Sequence, residues 1–139
     1  LKDYTPEHIT AHGFVEPDVF IRGAKGAWGL VWDGDSLDAC TGAWGEYLSV
    51  NTPHKSAFYL RASLPLIVWS RSAIAPIVRE RGIGLCVDSL RELPDLLASF
   101  TPERYRALRA SALREGERAA RGENLRALLA SPPIASRSE

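Results

Sequence analysis

Several residue types that signal a particular chemistry are scarce in this chain of 139 residues. It has no methionine, two cysteines and three histidines, and its 17 basic side chains are balanced by 17 acidic ones. The cysteines, Cys40 and Cys86, offer neither a disulfide framework nor a metal-ligand spacing, which predicts reduced thiols in the cytoplasm. The zero net charge gives no general attraction for nucleic acid.

Longer signals are missing as well. No apolar run approaches the roughly 20 residues that a bilayer span needs, and no signal peptide is visible. The sequence lacks a Gly-x-Ser-x-Gly elbow, a Walker lysine and a Gly-x-Gly-x-x-Gly fingerprint, which disfavours serine hydrolase, ATP and NAD chemistry. The absence of methionine and the start at Leu1 predict that the chain is a piece of a longer polypeptide.

What remains is the pattern of an α/β protein with a parallel sheet. Short apolar runs alternate with helical periodicity, which is typical of strand–helix–strand units. The predicted strands are the segment 9–14 and the runs 28–32, 65–69 and 83–87, the run 28–32 being buried on both faces. The predicted helices start near residues 17, 53, 72, 89 and 101, and Gly116 is expected to weaken the last one.

The long segment between the strands 28–32 and 65–69 holds the polar residues of interest. Residues 33–51 are predicted to form a functional loop, because long loops in compact domains usually carry function and this one contains Trp44 and Tyr47. Its aspartates Asp33, Asp35 and Asp38 suit a metal or a hydroxyl-rich ligand. The alternative is ordinary turn chemistry.

The sharpest local signal is the run NTPHKS at residues 51–56. Asn51 or Thr52 is predicted to cap a helix, with Pro53 giving up an amide that would be unsatisfied anyway. The backbone amides of residues 54–56 then point out of a positively polarised helix end, which is how backbone binds phosphate. A capped helix with a solvated lysine is the alternative.

With those residues in view, the chain resembles the carboxyl-terminal, donor-binding lobe of a GT-B glycosyltransferase. It is most similar to bacterial galactofuranosyltransferase-like enzymes and to the glucosyltransferases that extend glycans on streptococcal adhesins. The matching segments are WGLVWDGDSLDAC, GEYLSVNTPHKSAFYLRASLPLIVWS and SAIAPIVRERGIGLCVDSLREL. The resemblance implies a Rossmann-like lobe truncated at its start, with helices on both faces and a helical carboxyl terminus, over residues 1–130 with a flexible tail at 131–139.

The same resemblance implies hexosyl transfer, galactofuranosyl or glucosyl, from a UDP-sugar to a glycan acceptor in polysaccharide biosynthesis. It implies no required metal or other cofactor, a homo-oligomer and a cytoplasmic location. Peripheral membrane contact is a separate expectation from the charge distribution, since residues 61–139 hold 13 basic and 9 acidic side chains; a solvated basic helix is the alternative. The general base is expected in an amino-terminal lobe that this chain lacks. The residues expected to bind the donor are Lys55, His54, Ser56, Asn51, Thr52, Glu46, Gly45, Asp33, Gly34, His12 and Gly13.

Two positions depart from the family pattern. Phe58 stands where many retaining enzymes have a ribose-binding glutamate, and Ser63 stands in place of a glycine, which favours an inverting transfer. Two other readings stay open: a non-catalytic module that self-associates through the helical segment 101–130, and a nucleotide-sensing module without transferase activity.

Overall fold

The computed structural model describes residues 9–123 and Arg126. These residues form one sheet of three strands and six α-helices, with a single 3-10 turn at Leu90–Glu92. The strands are β1 (Gly29–Val31), β2 (Leu66–Trp69) and β3 (Gly84–Val87). The helices are α1 (Pro17–Gly23), α2 (Gly42–Val50), α3 (His54–Arg61), α4 (Ala75–Arg81), α5 (Leu93–Ala98) and α6 (Pro102–Ala120). The predicted tail at 131–139 lies outside the described residues.

The sheet is parallel throughout, with β2 in the middle. Val68 of β2 stands opposite Val31 of β1 and Cys86 of β3. All four positions of β2 are buried, as expected for a central strand covered on both faces. Because the strands are parallel, their carboxyl ends meet at one edge of the sheet. The predicted α/β fold with a parallel sheet is confirmed.

Helices α3 and α4 pack on the sheet face that carries Val31 and Val68, where Leu60 of α3 and Val78 of α4 join the same core cluster. Helix α6 packs in turn against α3. A Cβ on Gly116 would lie 2.7 Å from the carbonyl carbon of Leu60, so α6 meets the α3 backbone at this glycine. The expected weak point at Gly116 is wrong, because α6 runs unbroken through it and uses the missing side chain for close packing.

Three further predictions are corrected. The segment 9–14 forms no strand, and its residues are exposed, with Phe14 at 87%. Leu30 of β1 is 43% exposed, so the prediction that this strand is buried on both faces is wrong. The segment 33–51 is not a loop to its end, because residues 42–50 form α2, whose Leu48 is fully buried in the core.

Candidate functional site

The polar residues singled out above gather at the carboxyl edge of the sheet. Asp33 lies just beyond the end of β1, Ser70 follows β2, and Asp88 follows β3. Helix α3 begins close to this edge, since its first turn contacts the residues after β1. Ligands of open parallel sheets bind at such an edge, so this is the candidate site.

The central contact of the site is an ion pair between the first turn of α3 and the end of β1. The Lys55 Nζ donates to Asp33 Oδ1 at 2.6 Å, and the two side chains are 33% and 31% exposed. Residues 22 positions apart are thereby joined. The structure therefore brings together the two segments, 33–34 and 54–56, that the sequence places at one site.

The helix start differs in detail from the prediction. Pro53 takes the N-cap position with φ −63° and ψ 142°, and no side chain caps the helix. Asn51 is unavailable for that task, because its Oδ1 accepts from the Thr52 amide at 2.9 Å and its Nδ2 donates to the Tyr47 hydroxyl. The prediction that Asn51 or Thr52 caps α3 is wrong.

The three residues of the first turn have different surroundings. His54 is exposed, and Lys55 is half-buried in its ion pair. Ser56 is 1% exposed, and its amide donates to the Pro53 carbonyl at 3.0 Å, so this amide does not point outward as expected. Its Oγ is buried and has no hydrogen-bond partner among the described residues, an unusual state for a buried hydroxyl.

The loop that carries Asp33 is held by hydrogen bonds and close packing. The Trp32 indole Nε1 donates to the Ser36 carbonyl at 3.0 Å. Gly34 has φ +152°, and a Cβ at this position would lie 3.1 Å from the Cys40 Cα, so the turn requires glycine. These contacts therefore fix the backbone turn that carries Asp33.

The second half of this loop is tied to the segment after β3. The Leu37 carbonyl accepts from the Leu90 amide at 2.8 Å and from the Ser89 hydroxyl at 3.0 Å. Asp38 pairs with Arg91 at 2.6 Å, and the hydrogen bond from Arg91 lowers the pKa of the Asp38 carboxyl. Asp33 and Asp38 thus pair with different cations, which does not favour a shared metal site.

Sequence reasoning missed two parts of this edge. One is the Asp38–Arg91 ion pair. The other is a set of hydrogen bonds around Ser70, whose hydroxyl donates to Asp88 Oδ1 and whose carbonyl accepts from Arg79 at 3.3 Å. Both Ser70 and Asp88 directly follow predicted strands. Their position directly after a strand is the sequence signal that could have identified them as residues of this edge.

Helix α2 borders the site. Gly45 is buried, and its Cβ would lie 3.3 Å from the Cys40 Cα and closer still to the Cys40 carbonyl, so α2 packs directly on residue 40. Burial raises the pKa of the Cys40 thiol. Glu46 is exposed, as are the aromatic rings of Trp44 (68%) and Tyr47 (46%).

Two predicted residues stand apart from this cluster. His12 and Gly13 are exposed in the segment before α1, and Gly13 has φ +67°. Within the described part of the chain, no hydrogen bond or ion pair links them to Lys55 or Asp33. The strand end that was expected to carry them there does not form.

A groove of about 300 Å³ lies elsewhere, before the amino end of β1. It is lined chiefly by aromatic and apolar groups, among them Trp28, Phe100 and Tyr105. The cation and carboxylate suited to a charged ligand lie at the opposite edge of the sheet, so this groove is not the candidate site.

None of the helices in the described residues combines the length and apolar composition that a bilayer span requires.

The matching family and the two relatives described next are all named for glycosyltransferases. Residues 2–131 match the family described as the glucosyltransferase 3-like, C-terminal domain. The chain is 41% identical over 80 residues to the β-1,6-galactofuranosyltransferase WbbI of Escherichia coli K12, a match covering 58% of this chain and 24% of the relative. It is 40% identical over 106 residues to glucosyltransferase 3 of Streptococcus gordonii, covering 75% and 31%. It thus spans about a third or less of these relatives, and no solved structure gives a significant match.

Proposed function

The chain belongs to the glucosyltransferase 3-like C-terminal domain family, and on that premise we propose that it binds the nucleotide-sugar donor in a hexosyl transfer. The relatives are named for galactofuranosyl and glucosyl transfer, so the sugar proposed is a hexose. The resemblance described from the sequence adds that the donor is UDP-linked. The acceptor is a glycan hydroxyl. The general base is assigned to the part of such enzymes that this chain does not cover.

The observation that carries the proposal is the position of Lys55. Its ammonium group lies in the first turn of α3 at the carboxyl edge of the sheet, beside the residues that follow β1. An anion at that position is stabilised both by the lysine charge and by the partial positive charge of the helix end. A diphosphate is the part of a sugar nucleotide with that charge.

The proposed chemistry is electrostatic. Breaking the bond between the sugar and the diphosphate leaves negative charge on the diphosphate, and preorganised donors that meet this charge lower the barrier. The Lys55 ammonium and the amides of His54 and Lys55 at the start of α3 take this role in place of a metal ion. The free thiols Cys40 and Cys86 support a reducing, cytoplasmic setting for the protein.

Calorimetric titration of the chain with UDP and with uridine tests this function. Because the proposed site recognises the diphosphate, UDP is expected to bind with one site per chain and markedly more tightly than uridine. UDP-glucose and UDP-galactofuranose are titrated in the same way as the candidate donors. Equal affinities for UDP and uridine, or no binding of UDP, would contradict the proposal.

A further inference from the structure

In the structure, the Lys55 ammonium is already paired with a carboxylate of the same chain. The Asp33 oxygen lies 2.6 Å from Nζ, in a pair whose two side chains are about two-thirds buried. A phosphate that approaches Lys55 therefore meets a neutralised cation and a nearby negative charge of the same sign as its own. The site as built is a poor one for a simple inorganic anion.

The two partners differ in how freely they can move. Lys55 carries its charge on a flexible four-carbon chain, so the ammonium can turn to a ligand without a change in α3. Asp33 has a short side chain on a turn fixed by the Trp32 to Ser36 hydrogen bond and by the packing of Gly34 on Cys40. When Lys55 turns to a diphosphate, the Asp33 carboxylate stays in place and loses its partner.

An ionised carboxylate only accepts hydrogen bonds, and a half-buried one that is left without donors is unfavourable. The ligand itself has to supply those donors. At neutral pH inorganic pyrophosphate carries few P–OH donors beside its several negative charges, whereas a sugar nucleotide carries vicinal hydroxyl groups on its ribose and on its hexose.

We propose that Asp33 is a specificity-determining residue, which disfavours anions without sugar hydroxyl groups and accepts hydrogen bonds from the ribose or hexose hydroxyls of a sugar nucleotide. This inference rests on the proposed donor site and adds a second criterion to it. Lys55 selects for the diphosphate, and Asp33 selects for the sugar attached to it.

The test measures the dissociation constants of inorganic pyrophosphate, UDP and UDP-glucose for the chain and for Asp33→Asn. The variant removes the charge and keeps the shape. We expect it to bind pyrophosphate more tightly and UDP-glucose more weakly, so that the preference for UDP-glucose over pyrophosphate falls by about tenfold. If the variant already loses the preference for UDP over pyrophosphate, the hydroxyls that donate to Asp33 belong to the ribose. If only the preference for UDP-glucose falls, they belong to the hexose.

Asp38→Asn is the matched control, because it removes the same charge from the same loop. Its side chain pairs with Arg91 in an exposed position, 61% exposed, and its affinities for all three ligands are expected to match those of the parent chain. Asp33→Ser is a second variant in case the amide disturbs folding, with the same expected direction. A general loss of stability lowers all three affinities together and leaves the preference unchanged.

The outcomes separate the two proposals. Suppose that the parent chain binds UDP more tightly than uridine and that Asp33→Asn keeps the full preference for UDP-glucose over pyrophosphate. The proposed role of Asp33 is then wrong, and the proposed donor site stands. If the parent chain binds neither UDP nor UDP-glucose, the donor site is wrong and the role of Asp33 falls with it.

Discussion

Replacing Lys55 with alanine is expected to lower the affinity of the chain for UDP by about ten- to a hundredfold. Hydrogen bonds from a charged donor contribute about 1.5 to 3 kcal/mol, and each 1.4 kcal/mol is a factor of ten in affinity. The loss falls on the diphosphate, so the affinity for uridine should not change. Isothermal titration with UDP and uridine measures both.

Lys25→Ala is the control for this prediction. Lys25 is exposed between α1 and β1, at the other end of the strand, and its removal changes the net charge by the same amount. Its effect on UDP affinity should stay within a factor of two. If Lys55→Ala binds UDP as tightly as Lys25→Ala does, the Lys55 ammonium is not part of the diphosphate site.

Gly116→Ala is expected to lower the free energy of unfolding by about 2 to 3 kcal/mol, as overpacking of a close contact does. The new Cβ meets the carbonyl group of Leu60, which is backbone and cannot rotate away. Helix propensity alone predicts the opposite sign, because alanine in a helix is favoured over glycine by about 0.5 to 1 kcal/mol. Urea denaturation followed by circular dichroism measures the difference.

Gly23→Ala provides the comparison in a second helix. No atom lies within 4 Å of a Cβ built at Gly23, and its backbone conformation suits any residue. This variant should unfold at the same or a slightly higher urea concentration than the parent. A Gly116→Ala chain that is as stable as Gly23→Ala would show that α6 does not pack on α3 as described.

The sheet was predictable because its strands are short apolar runs bounded by turn residues. The helix start near residue 89 was equally predictable, because Ser89 and Glu92 have the spacing of a capping box, and both of its hydrogen bonds form. Glycine misled the prediction at α6. Gly116 looks like a helix breaker in sequence, but it sits where α6 contacts the backbone of α3, and sequence alone does not show that a neighbour is there.

The false strand at 9–14 has a different cause. Its residues show no alternation that would settle strand against coil, and a strand needs a partner edge that local sequence does not report. In α3, the helical spacing of Ala57, Leu60 and Leu64 predicts one buried face, and Leu60 and Leu64 are buried. Ala57 is exposed instead, and Ser56 is the buried residue of the first turn.

For the candidate site, the sequence predicted the place but not the pairing. That Asp33 and Lys55 both lie at the carboxyl edge follows from the order of strands and helices. Their contact at 2.6 Å depends on the exact turn after β1 and on the direction of a long side chain. On the proposed role of Asp33, this contact gives a phosphate site its preference for ligands that carry sugar hydroxyl groups.

The most direct test is a titration of the isotope-labelled chain with UDP, followed through its backbone amide NMR signals. The proposed donor site predicts that the largest shifts occur at the amides of Thr52, of residues 54–56, of Asp33 and of Gly34, and that they saturate together; Pro53 has no amide hydrogen. Shifts centred instead on the apolar groove around Trp28, Phe100 and Tyr105, with residues 52–56 unmoved, would contradict it.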